Sequence, residues 1–201
     1  MKFVKSTYDL TAGRVSVQLI QFAIPVFLAN LLQSLYNIVD MVIVGQIIGS
    51  AGVAAISNAS ALAVILNAVC IGVTLGGTVL VAQCQGAGHE KGKAETIGMI
   101  YSVTAVAAFI VTTAGLFIYH PLLQAMNVPP ESMRDACDYM RVILMGTFFV
   151  FGYNATCAIF RGCGDSVQPL LFVGIATVIN VVLDYFLVGT MRMGTPGAAY
   201  A

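Results

Sequence analysis

Residues 41–88 read MVIVGQIIGSAGVAAISNASALAVILNAVCIGVTLGGTVLVAQCQGAG and contain no Asp, Glu, Lys, Arg or His. A helix needs about 20 apolar residues to cross a bilayer core. This run is therefore too long for one span. It must hold the end of one crossing, a turn and a second crossing. The glycine-rich GQIIGSAG at 45–52 is the place for the turn. Working outward, the expected spans are 15–44, 53–81, 97–119, 142–160 and 170–189. The closing GAAYA at 197–201 reads as the start of a sixth. The fold class that follows is an all-α, polytopic membrane bundle with about five full spans. Continuous apolar runs, rather than alternating ten-residue segments, exclude a transmembrane β-barrel.

Composition agrees. Only 9% of the 201 residues are charged and 59% are hydrophobic, against about 25% charged in a soluble domain. The formal net charge is zero, which leaves no general basic surface for nucleic acid. Cys70, Cys84, Cys137, Cys157 and Cys163 form no CxxC pair and read as small buried hydrophobes. The first apolar stretch is long and contains Pro25 and Asp40, unlike a cleavable signal peptide. No GxxxxGK[ST] motif is present, so no nucleotide chemistry is expected.

Between the spans, the sequence suggests surface loops at 83–95, 120–138 (with a short interfacial helix) and 161–169. Lys2, Lys5, Arg14, Lys91, Lys93 and Arg161 then gather on one side, and Arg134, Arg141 and Arg192 on the other. The positive-inside rule places the N-terminus in the cytoplasm of a cell whose inner (plasma) membrane holds the chain. Gly72-x-x-x-Gly76 in span two reads as a close-packing motif.

Two acids lie within the apolar runs. An ionised carboxylate at membrane depth costs at least about 2.5–3.5 kcal/mol, so such residues face a bundle interior or an aqueous cavity. Gln33, Asn37 and Asp40 are spaced i, i+4, i+7 and share a helix face. Thr177, Asn180 and Asp184 repeat the pattern in span five. Asp184 precedes Gly189 by about five residues, roughly 7 Å of rise, and Asp40 lies a similar distance before Gly45. Both acids thus fall at one depth in the same half of the bilayer, as partners in one site would. An acid withdrawn from water and set beside another resists ionisation, so such a pair can exchange a proton. Carboxylate and carboxamide oxygens also suit a small hard cation such as Na⁺. The candidate coupling site is therefore Asp40, Asn180 and Asp184, with Na⁺ as the alternative to H⁺. Gln33, Asn37, Thr177 and Asn154 are candidates for the lining of a cavity. Pro25, inside span one, removes a backbone hydrogen bond and favours a bend. An enzyme would need converging His, Ser or metal ligands, and His89 and His120 fall on opposite sides. No enzymatic activity and no cofactor are expected.

Four segments in this order resemble the multidrug and toxic compound extrusion transporters: AIPVFLANLLQSLYNIVDMVIVGQIIG, AQCQGAGHEKGKAE, IFRGCGDSVQP and INVVLDYFLV. Asp40 with Asn180 and Asp184 resembles the DNA-damage-inducible (DinF-like) branch. The resemblance implies twelve helices in two lobes, related by a pseudo-two-fold axis along the membrane normal. It implies export of organic, often cationic, compounds by antiport with H⁺ or Na⁺. Asp40, Asn180 and Asp184 match the family's acidic site, and Pro25 matches its first-helix bend. At about half the family length, residues 1–201 correspond to the N-terminal lobe, and the expected partners are the lipid bilayer, a small-molecule substrate and a second lobe. Alternatives are a flippase for lipid-linked or polysaccharide cargo and a non-catalytic assembly subunit.

Overall fold

The computed structural model describes residues 14–201, apart from the side chains of Ser50 and Ala51. Lys2 and Lys5, used above for orientation, lie outside the described residues. The described chain is helical almost throughout: α1 (Val15–Ile47), α2 (Ser50–Gly86), α3 (Glu90–Ala125), α4 (Pro130–Gly162), α5 (Val167–Asp184) and α6 (Thr195–Tyr200). A π-helical turn, Tyr185–Thr190, continues α5. Among the described residues, five helices are long and apolar enough to span a membrane. At 33–37 residues, α1 to α4 reach roughly 50 Å, more than the ~30 Å hydrocarbon core. They must tilt or project past it.

The connections are tighter than the sequence suggests. Residues 83–95 are not an open loop: α2 runs to Gly86 and α3 starts at Glu90. Gly88, at φ +65°, makes that reversal in a conformation that costs most residues dearly. Nor are residues 120–138 a loop with a separate helix. Here α3 continues through Pro121 to Ala125, Asn127 turns the chain at φ +55°, and α4 begins at Pro130. Proline at the first helical position loses no needed N–H, and Glu131 meets the positive end of the helix. The charges in this segment fall at helical spacing. Ala136, Cys137, Met140 and Leu144 are buried, while Arg134 and Arg141 are exposed. The 161–169 connection also shrinks, because Arg161 and Gly162 end α4 and Val167 begins α5.

Helices α2, α3 and α4 form the packed part of the bundle. At one end Ala55, Ala59 and Leu62 meet Leu123, Met140 and Leu144. Cys70, Ala108 and Phe151 follow at mid-height, then Val81, Ile100 and Ala155. Small residues permit this closeness. A Cβ on Gly162 would lie 2.9 Å from the Thr78 carbonyl oxygen and 2.9 Å from Val81 Cβ. The expected Gly72/Gly76 contact is not where helices touch, because a Cβ on either would meet nothing within 4 Å. Gly77, one residue on, lies against Ile100 instead. Hydroxyls add cross-links: Thr78 Oγ1 donates to the Ala158 carbonyl at 3.2 Å, and Thr112 Oγ1 to the Leu144 carbonyl at 3.2 Å.

Helix α1 packs chiefly on α5 and only lightly on α2. Val44 is the one buried residue of α1, and Pro169 and Asp184 are those of α5. Short α6 lies on α4, with Thr195 Oγ1 donating to the Asp135 carbonyl at 3.3 Å. Arg14, Lys91, Lys93 and Arg161 occupy one end of the bundle, and Arg134, Arg141 and Arg192 the other.

Candidate functional site

Asp40 stands seven residues before the end of α1, and Asp184 is the last residue of α5, six before the π-helical turn ends. The first helix runs three residues beyond its expected span, to Ile47, and the fifth one residue, to Thr190, so the common depth survives. The two carboxyl groups face each other within hydrogen-bonding reach. Asp184 is fully buried and Asp40 half-buried. Six buried side-chain oxygens among the described residues have no hydrogen-bond partner, and four belong to this site: Asp40 Oδ1, Asn180 Oδ1 and both oxygens of Asp184. Neither ion pair among the described residues includes either acid.

Unpartnered acceptors in a buried place are costly. Two facing carboxylates repel, and a shared proton or a cation between them relieves that repulsion. The donor set of two carboxylates and one carboxamide is all oxygen, which fits a small hard cation. No group of three or more His, Cys, Asp and Glu suited to a metal ion occurs among the described residues.

The backbone beside the site is unusual. After Asp184 the helix widens, and Met191 N–H donates to the Phe186 carbonyl, five residues back, at 2.9 Å. Such single π turns recur at functional sites. Here Asp184 and Val188 both remain fully buried across the change of register.

Two tyrosines complete the surroundings. Tyr36 lies close to both acids and to Tyr139, and the buried Tyr139 hydroxyl stands near the acids and within reach of Ser60. Neither is among the sequence candidates. Tyr36 is four residues before Asp40 and shares its face, a signal present in the sequence. Tyr139 falls between the loop expected at 120–138 and the span expected at 142–160, where no candidate is placed.

The other candidates separate. Gln33, Thr177 and Asn180 line a cavity of about 200 Å³ between α1 and α5, together with Tyr36 and Tyr153. Asn154 lines a larger cavity, where its amide donates to Asn67 Oδ1 at 3.4 Å and to the Val150 carbonyl at 2.9 Å. Asn37 is exposed and lines neither. Pro25 is half-buried within an α1 that stays helical through it.

Comparison with known proteins decides the family. The MatE family model matches residues 25–186, a stretch that contains Asp40, Asn180 and Asp184. The chain belongs to the MatE family. Among MatE-type relatives, the probable multidrug resistance protein YpnP of Bacillus subtilis (strain 168) is 30% identical over 194 residues, covering 96% of this chain and 44% of YpnP. A multidrug resistance MATE family transporter in an outward-facing conformation superposes with a TM-score of 0.90 at 26% identity, covering all of this chain and 44% of that one. A MATE in the bent conformation gives 0.89 at 25% identity, with 96% and 44% covered. The chain spans less than half the length of the curated relatives it matches. Its five spanning helices thus have the fold of one MatE lobe.

Proposed function

We propose that the chain is the ion-binding lobe of a secondary transporter that exports organic compounds by antiport with H⁺ or Na⁺. The observation that carries this reading is the cluster of orphaned oxygens on Asp40, Asn180 and Asp184, buried where a proton or a cation would satisfy them. The pairing of α1 with α5 adds support, because the two acids stand on the helices least tied to the packed core. Binding of the ion draws the two acids together, and its release leaves two carboxylates that repel. That difference biases α1 against α5, as a coupling site requires. Alternation of access needs a second lobe to move against. The names of the relatives support drug-like cargo. The acidic pair supports the DinF-like branch, and the cationic end of the bundle supports a cytoplasmic N-terminus in the plasma membrane.

The test is efflux from vesicles that hold the protein and a panel of fluorescent dyes, under an imposed pH gradient and then a Na⁺ gradient. Dye movement is expected to follow one of the two. Movement that ignores both gradients would overturn the reading.

A further inference from the structure

The larger cavity contains a charge that ion coupling does not use. It opens between α1, α2 and α4, with a volume of about 780 Å³. Helix directions fix its polarity. Phe22, Thr78 and Arg161 lie toward the end holding the N-terminus of α1, whereas Gln33, Asn67 and Asn154 lie deeper, toward the acid pair. Arg161 is seven residues from Asn154 on α4, about 10 Å of rise. Much of the wall is apolar, from Val26, Ile71, Leu75 and Phe149.

Among the described residues, Arg161 is the only charged one lining this cavity, and none lines the smaller one. Asp40 and Asp184 face each other and line neither. Neither ion pair among the described residues involves Arg161. Among the described lining residues a cationic guest would therefore meet a guanidinium and no carboxylate. An anionic guest would meet a planar donor suited to bidentate pairing with carboxylate or phosphate. The low-dielectric walls strengthen that attraction.

We propose that this cavity binds an amphiphilic organic anion, with its carboxylate or phosphate on Arg161. Its apolar body lies along Val26, Leu75 and Phe149, and its polar substituents reach the Asn67–Asn154 pair. The proposal rests on the transporter reading only in treating the guest as cargo. It replaces the often-cationic substrate that the family resemblance implies.

The test is equilibrium dialysis of the purified chain in a maltoside detergent, which carries no competing phosphate. The probes share one ring: 1-naphthyl phosphate, 1-naphthoate and 1-naphthyl-trimethylammonium. The two anions separate phosphate from carboxylate preference, and at least one is expected to bind tighter than the ammonium. Arg161→Gln is expected to weaken anion binding by about tenfold or more and leave the ammonium unaffected. Arg134→Gln, at the opposite end, is expected to change neither. Leu75→Glu places an acid on an exposed wall position and should weaken the anions while strengthening the ammonium, a check that survives if Arg161→Gln does not fold. Ammonium binding equal to or tighter than the anions, or anion affinity indifferent to both Arg161→Gln and Leu75→Glu, would overturn the proposal. No gradient is present, so failure here leaves the coupling reading standing, and failure of gradient-driven efflux leaves this one standing.

Discussion

Helices α2, α3 and α4 and the pair α1/α5 are built on opposite terms. In the first group, apolar contacts run the height of the bundle, and Thr78 and Thr112 donate to carbonyls of α4. In the second, little is buried, and Asp184 with both oxygens unpartnered is among what is. A membrane supplies little hydrophobic drive for helix association. Close packing and hydrogen bonds must hold the first group together. The second is held less tightly and contains buried side-chain oxygens that have no hydrogen-bond partner. The difference separates scaffold from the proposed coupling site within one lobe.

Substitutions on the two sides should therefore fail differently. The largest effect is expected from Asp40→Asn and Asp184→Asn. Each should reduce gradient-driven export to that of empty vesicles while the protein still inserts, and its melting temperature in detergent should hold or rise. Normal export by both variants would remove the acid pair from the mechanism. The converse change is Gly162→Val, whose new side chain must displace the Thr78 backbone and Val81. A loss of about 1–3 kcal/mol is expected, read as a lowered melting temperature. Gly174→Ala on α5 enters open space and should show no loss. A smaller effect is expected of Pro25→Ala. Restoring one helical hydrogen bond should leave folding intact and slow export a few-fold, and unchanged export would make the proline a static feature. Smallest is Asn154→Leu, which ends the 3.4 Å contact with Asn67 and should cost about 0.6 kcal/mol by the same melting assay.

The spans and the acid pair were legible because each rests on a one-dimensional signal. A charge-free run from 41 to 88 cannot be a surface, and Gln33–Asn37–Asp40 and Thr177–Asn180–Asp184 each follow helical spacing. Nothing further of that stripe could be read. Gln33 reaches a cavity and Asn37 does not, because a shared face says nothing about which neighbour covers it. Charge misled in the connections. Residues 120–138 read as loop with a short interfacial helix from their prolines and charges, yet Ala136 and Cys137 are buried and, with Met140 beyond them, form the inner face of α4. Tyr139, one residue past that segment, was missed as well. Gly72 and Gly76 carry the right spacing on the wrong side of α2. The π turn at Tyr185–Thr190 has no compositional mark, as YFLVGT is apolar like the rest of its span. Arg161 was read only as a topology marker, since a cavity belongs to three helices and no one of them shows it.

The central claim is that Asp40 and Asp184 form one site rather than two neighbouring acids. Infrared difference spectroscopy of the protein in membranes, stepped from high to low pH, measures the carboxyl stretch of protonated acids directly. One shared site predicts a band that Asp40→Asn and Asp184→Asn each shift or remove, with little further change in the double variant. Two bands, each lost with only its own residue and adding up in the double variant, would contradict it.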